Sequence, residues 1–226
     1  MCDKETIKYS FDNVSLMKII NEYLDEKVNF ENYEEIDIDE LEFGHPVYSP
    51  DMVFKGKDDI IIYEFLSMDE NPNYVLTNLF GCVVGLFVKF GLTVRVNLIV
   101  PPNFDEELEI EVIADTFFKP QQLTLKNVDG DKLLSSMNDK VKNNKELTLN
   151  DFIKLSIVPL MKSGDSLNEQ VVEVIKTVDK MTNIDLLVRE RILNMQLFIM
   201  DKFGDINSAS QIMPVEGDDK RFLIVF

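Results

Sequence analysis

Tryptophan is absent from the 226 residues, histidine occurs once and cysteine twice. The two cysteines, Cys2 and Cys82, are far apart and show no CxxC spacing, which argues against a disulfide framework and a cysteine zinc site. With His45 alone, in the Gly-Pro turn GHPVY, an HExxH site is excluded, and a loop histidine reads as structural. No serine lies in a GxSxG context, and the glycines of FGCVVGLF form neither a phosphate loop nor GxGxxG. The start, MCDKETIKYS, has no apolar h-region. The best apolar run, Leu79 to Phe90, is broken by glycines and Lys89, short of the roughly 18 residues that suggest a membrane span. The expectation is a cytoplasmic protein with no membrane partner.

Basic residues are also scarce: 23 against 41 acidic ones, a net charge of −18. The imbalance is local. Residues 1–118 hold 25 acidic and 8 basic side chains, net −17, whereas 119–150 carry +2 and 151–226 carry −3. Duplex DNA is bound largely through lysines and arginines that displace counterions. This charge therefore disfavours DNA and leaves a protein partner open; it does not address oligomeric state.

The hydrophobic content of 45% can fill a large core. A chain of this length buries about 70% of its unfolded surface. SFDNVSLMKIINEYLDEKV carries an apolar stripe and a cap at Asp12 or Asn13, predicting a helix. EEIDIDELEFG alternates carboxylates with Ile36, Ile38, Leu41 and Phe43 and predicts a one-sided strand. DMVFKG and DIIIYEFLS, joined by Gly56-Lys57-Asp58-Asp59, predict a hairpin. YVLTNLFGCVVGLFVKFG predicts a buried helix stopped by Gly91, and LTVRVNLIVPP a strand stopped by proline. ELEIEVI, within an acidic run that discourages pairing, predicts an edge strand. KLLSSMNDKVKNN, TLNDFIKLSIVPLMK, SLNEQVVEVIKTVDKM and NIDLLVRERILNMQLFIMDKFG predict helices, and RFLIVF a last strand. The expected class is α/β: a mixed central sheet flanked by helices over residues 1–118, and a mainly helical region over 119–226, packed on the core or separate.

Two carboxylates break the apolar strands. Asp51 opens one, and Glu64 sits inside the next, on the face of Ile60, Ile62 and Leu66. The hairpin turn brings both to one end of the sheet, where at about 4 Å they repel by roughly 4 kcal/mol at an effective dielectric near 20. A divalent cation, a lysine or a shared proton relieves that repulsion. Oxygen donors of this kind suit Mg²⁺ or Mn²⁺. The plainer alternative is structural, with Asp51 opening a strand and Glu64 paired to Arg95 or Lys55.

Ser49-Pro50-Asp51, twelve residues, then Glu64-Phe65-Leu66 resembles the PD-(D/E)XK nuclease signature. The element order, one helix, three strands, a helix and a strand, is similar to that superfamily's restriction-endonuclease-like core. Within it the chain is most similar to the recombination-promoting nuclease and PD-(D/E)XK transposase-like family, over about residues 12–200. The resemblance implies a metal-dependent DNA phosphodiesterase, with Asp51 and Glu64 holding Mg²⁺ or Mn²⁺. The family places lysine or glutamine two residues after the glutamate, where it orients or activates the attacking water. Here that residue is Leu66, which can do neither. Lys55, on the face of Asp51, is the candidate replacement; Lys89 is a second and Glu22 a candidate third ligand. The alternative is a non-catalytic binding or scaffold protein that retains the fold.

Overall fold

Short polar side chains cap the helices and so set where they begin. In the computed structural model, which describes residues 12–24, 28–39, 41, 48–67, 69–182 and 184–204, the Asp12 carboxylate accepts the Ser15 N–H at 2.8 Å and opens helix α1 (Asn13–Tyr23). Strands β1 (Glu34–Glu35), β2 (Met52–Lys55) and β3 (Asp59–Phe65) follow. Asn71 caps helix α2 (Pro72–Phe90), which ends at Gly91 with φ 68°, a left-handed conformation that glycine adopts without a Cβ penalty. Strand β4 (Thr93–Ile99) returns parallel to β3. Further along are β5 (Ile110–Ile113), β6 (Thr116–Phe118), β7 (Gln121–Leu123) and β8 (Leu125–Asp129). Helix α3 (Gly130–Lys142), α4 (Leu149–Ser156), a short β9 (Met161–Lys162), α5 (Leu167–Asp179) and α6 (Leu186–Phe203) complete the chain as described.

The central sheet has the order β1-β2-β3-β4-β7. Its first pairs are antiparallel and β3–β4–β7 are parallel, giving the mixed sheet that the strand–helix–strand pattern predicts. Period-two alternation divides the side chains between two layers. Val53, Ile60, Ile62 and Leu66 face α2, in a core with Val75, Leu76, Leu79 and Leu86. Met52, Phe54, Ile61, Tyr63 and Phe65 face the other way, in a core with α1 and with Phe152, Val174, Ile192 and Ile199 of the later helices. Residues on both sides of position 118 thus share the central sheet and the core on its α1 face.

Several expectations give way. The predicted strand over EEIDIDELEFG shortens to Glu34–Glu35, because the Asp37 carboxylate accepts the Asp39 N–H at 2.8 Å and closes a turn. ELEIEVI does form an edge strand, Ile110–Ile113, but in a separate two-stranded ribbon with β6 whose turn holds Asp115 at φ 60°. TLNDFIKLSIVPLMK is one helix only to Ser156. Pro159 cannot continue it, a 3₁₀ turn over Val158–Leu160 intervenes, and Met161–Lys162 pairs with β8. The polar link after 118 hides β7, which joins the central sheet. Helix α2 is long and apolar enough to cross a membrane by length and composition alone, yet its inner side is core, and among the described residues its outer side is exposed. His45 and the RFLIVF run lie outside the described residues.

Candidate functional site

The hairpin register pairs Met52 with Tyr63, and one step further sets Asp51 opposite Glu64. The two are tied through the backbone. The Asp51 N–H donates to Glu64 Oε2 at 3.0 Å, and the Phe65 N–H donates to Asp51 Oδ2 at 2.8 Å. Both carboxylates therefore sit at the carboxyl end of β3, beside its parallel neighbour β4, the end at which open α/β sheets place ligands.

A residue that the sequence reading passed over completes the group. Lys202, in the last turn of α6, places Nζ 3.0 Å from Asp51 Oδ1 and 3.3 Å from Glu64 Oε1. The Tyr48 hydroxyl donates to Glu64 Oε1 at 2.8 Å. Lys202 is steered by its own helix, its ammonium lying 5.7 Å from the centroid of the Phe198 ring. Phe198 in turn stands edge-on to Phe65 at 4.9 Å. The lysine arrives 138 residues after Glu64 in sequence, so no short spacing could reveal it. The one available signal is a lone cation in the apolar stripe NMQLFIMDKF.

The other candidates lie elsewhere. Lys55 occupies the far end of β2, where Nζ pairs with Glu34 at 2.9 Å. It replaces nothing at Asp51, because four residue steps along the strand separate the two by about 13 Å. Arg95 holds Asp59 at 2.6 Å rather than Glu64. Glu22 is on the exposed face of α1, 3.9 Å from Lys154, and Lys89 is exposed at the end of α2. Leu66 is buried in the core beneath α2. The position that the nuclease signature reserves for a polar side chain is here an apolar packing position. Burial pushes the Cys82 thiol up to about 12, which removes it as a nucleophile at neutral pH.

Burial first, and the Asp51 charge second, push Glu64 up to about 7, against the opposing pull of Lys202, the Asp51 N–H and Tyr48. Burial, then Glu64, also raise the Tyr48 hydroxyl, so it stays a donor. Lys202 is raised even though burial alone would lower it, because Glu64 and Asp51 outweigh that penalty. Glu64 thus sits near its titration point at neutral pH, beside a lysine that stays charged.

The sign of the stability effect follows from Glu64. Between its ordinary value of 4.5 and its folded value of about 7, the folded state binds more protons than the unfolded one. Glu64 therefore lowers stability as pH rises through that window, by at most about 1.4 kcal/mol per pH unit. Glu64→Gln, whose amide can accept from Asp51 N–H and donate to Tyr48, is expected to flatten the decline. Urea unfolding at several pH values across the window measures it; an unchanged slope would assign the titration to another group.

Among the described residues no group of three or more His, Cys, Asp or Glu side chains is placed to hold a metal ion. The donor set available is Asp51 Oδ1 and Glu64 Oε1, which converge on the point that Nζ of Lys202 occupies. Two carboxylates with water and substrate oxygens suffice for Mg²⁺. An ion held by this pair would have to displace the Lys202 ammonium; Lys202 and Asp51 have side-chain exposures of 16% and 18%. Comparison with protein-family models and with curated proteins gives no match.

Proposed function

We propose that the chain is a divergent PD-(D/E)XK-type protein, with a restriction-endonuclease-like core, whose Asp51, Glu64 and Lys202 form a Mg²⁺- or Mn²⁺-dependent phosphodiesterase centre acting on nucleic acid. The observation that carries this reading is the contact of Lys202 with both carboxylates. The cation that Leu66 denies to the hairpin is supplied from α6. The mixed sheet, and the position of the pair at the carboxyl end of β3, also support it.

Asp51 and Glu64 would hold the metal, which when bound supplies Lewis-acid charge to a phosphoryl oxygen. Glu64, almost fully buried, is a ligand in this reading and not the base that takes a proton from the attacking water. Lys202 can donate to that water or to a phosphoryl oxygen, and its Phe198 contact limits where the ammonium points. Tyr48 keeps Glu64 Oε1 oriented. The acidic first half implies short or single-stranded substrate rather than long duplex, because fewer phosphates then meet that charge.

A second reading, a non-catalytic binding or scaffold protein, rests on a specific observation. Each of the four carboxylate oxygens already has a partner within the chain. In that case Lys202 is a permanent substitute for the metal and the group is an internal tie.

Asp51→Asn separates the two. It is nearly isosteric and removes one hard anionic donor, so Mn²⁺-dependent cleavage of a fluorescent oligonucleotide is expected to fall by at least about 100-fold. Wild-type protein that cleaves nothing with either ion, at any substrate length, would leave the scaffold reading.

A further inference from the structure

One ammonium carries two assignments that exclude each other. Lys202 Nζ lies 3.0 Å from Asp51 Oδ1 and 3.3 Å from Glu64 Oε1, in the space that an ion held by these two oxygens would need. The phosphodiesterase reading also assigns the same ammonium to a phosphoryl oxygen of the substrate. Lys55 and Arg95 cannot share the work, because Glu34 and Asp59 hold them at the opposite end of the hairpin. Seated between the carboxylates, Lys202 relieves their repulsion and has its own charge compensated. A dication in its place would leave the ammonium beside a positive centre and without an anionic partner. A phosphodiester supplies that partner.

We infer that Lys202 is a built-in competitor of the divalent ion, drawn off the pair by the substrate's phosphate, so that ion and nucleic acid bind this centre cooperatively. The inference rests on the phosphodiesterase reading and adds to it a contact that keeps the centre closed when no substrate is present. Lysine suits the transfer, since its charge rides on a flexible four-carbon stem with three rotatable donors. Phe198 tethers that stem beside the pair, its ring centroid 5.7 Å from the ammonium. Without substrate, Asp51 and Glu64 keep the ammonium and hold the ion weakly. With a phosphate in reach, the ammonium has a second anion to serve and the two carboxylates are released. Linkage makes the effect reciprocal: the ion tightens the nucleic acid by the same factor. A phosphate that merely bridged to the ion would also couple the two ligands, but that coupling would not need Lys202.

Calorimetric titration of the full chain with Mn²⁺ tests it, with and without a short single-stranded phosphorothioate oligonucleotide that resists cleavage. The wild-type Kd for Mn²⁺ is expected to tighten by about tenfold or more when the oligonucleotide is present. Lys202→Met, with no ammonium to displace, is expected to bind Mn²⁺ more tightly than wild type without oligonucleotide. Adding the oligonucleotide is then expected to change its Kd by less than about twofold. Asp51→Asn, with one donor removed, gives the Mn²⁺ that the oligonucleotide holds by itself. Fluorescence anisotropy of the labelled oligonucleotide needs no variant: its Kd for the wild type is expected to tighten by the same factor at saturating Mn²⁺. Equal wild-type affinity for Mn²⁺ in both conditions would overturn the proposal and leave the metal centre standing. So would a Lys202→Met protein, folded by circular dichroism, that keeps the full coupling. Mn²⁺ that binds neither protein in either condition would remove the phosphodiesterase reading, and the proposal with it.

Discussion

Lys202→Met is expected to destabilise the protein by about 3–5 kcal/mol near pH 8, and by much less near pH 5. The substitution keeps most of the side-chain volume and its apolar contact with Phe198, so the loss is electrostatic. Without the ammonium, Asp51 and Glu64 face each other with the Asp51 and Phe65 N–H groups and the Tyr48 hydroxyl as their remaining donors, and Glu64 is almost fully buried. Glu64 then has one inexpensive way out, which is to hold its proton. Its titration moves above the value near 7 that it has beside Lys202, and the penalty appears only once pH forces ionisation. Unfolding free energies of the variant and of Lys202→Arg, which keeps the charge, measure the effect across pH. A uniform loss at every pH would mean that packing rather than charge is what Lys202 provides.

Phe65→Ala is expected to cost about 3–5 kcal/mol, the loss typical of a buried phenylalanine. Its ring is 1% exposed, edge-on to Phe198 at 4.9 Å and 6.2 Å from Phe203. Phe198 and Phe203 bracket Lys202 on α6, so Phe65 is the apolar contact that seats the helix carrying the lysine. Its backbone N–H meanwhile holds Asp51. The variant should therefore loosen both sides of the site at once. Amide exchange at the carboxyl end of α6 is expected to quicken more than exchange in α2, which packs on the opposite face of the sheet. Equal quickening in both helices would place the seat of α6 elsewhere.

Much of the hairpin could be read from the sequence because two short-range rules meet there. Alternation sorted Asp51, Val53, Glu64 and Leu66 correctly onto faces, and the four-residue turn fixed the register that sets Asp51 against Glu64. The helix cap at Asp12 is equally local. What escaped depends on distance along the chain. Lys202 reaches the pair only because Phe65 and Phe198 pack together, and no pattern within α6 announces that contact. Lys55 was attractive for the same reason that it fails: sharing a face with Asp51 says nothing about which end of the strand it occupies. Strand β7 is three residues of polar appearance, too short to alternate. The apolar run of α2 predicts burial all round, but an uncharged face is not always a covered one, as exposed Tyr74, Val84 and Val88 show.

In the phosphodiesterase reading, Asp51 and Glu64 exchange the Lys202 ammonium for a divalent ion. Anomalous diffraction from crystals soaked in Mn²⁺ tests it at the atoms concerned. The expected result is a peak about 2.1–2.2 Å from both Asp51 Oδ1 and Glu64 Oε1, with Lys202 displaced toward solvent. Crystals without a peak there, in which Lys202 still bridges the two carboxylates at saturating Mn²⁺, would contradict it and identify the trio as a fixed internal tie.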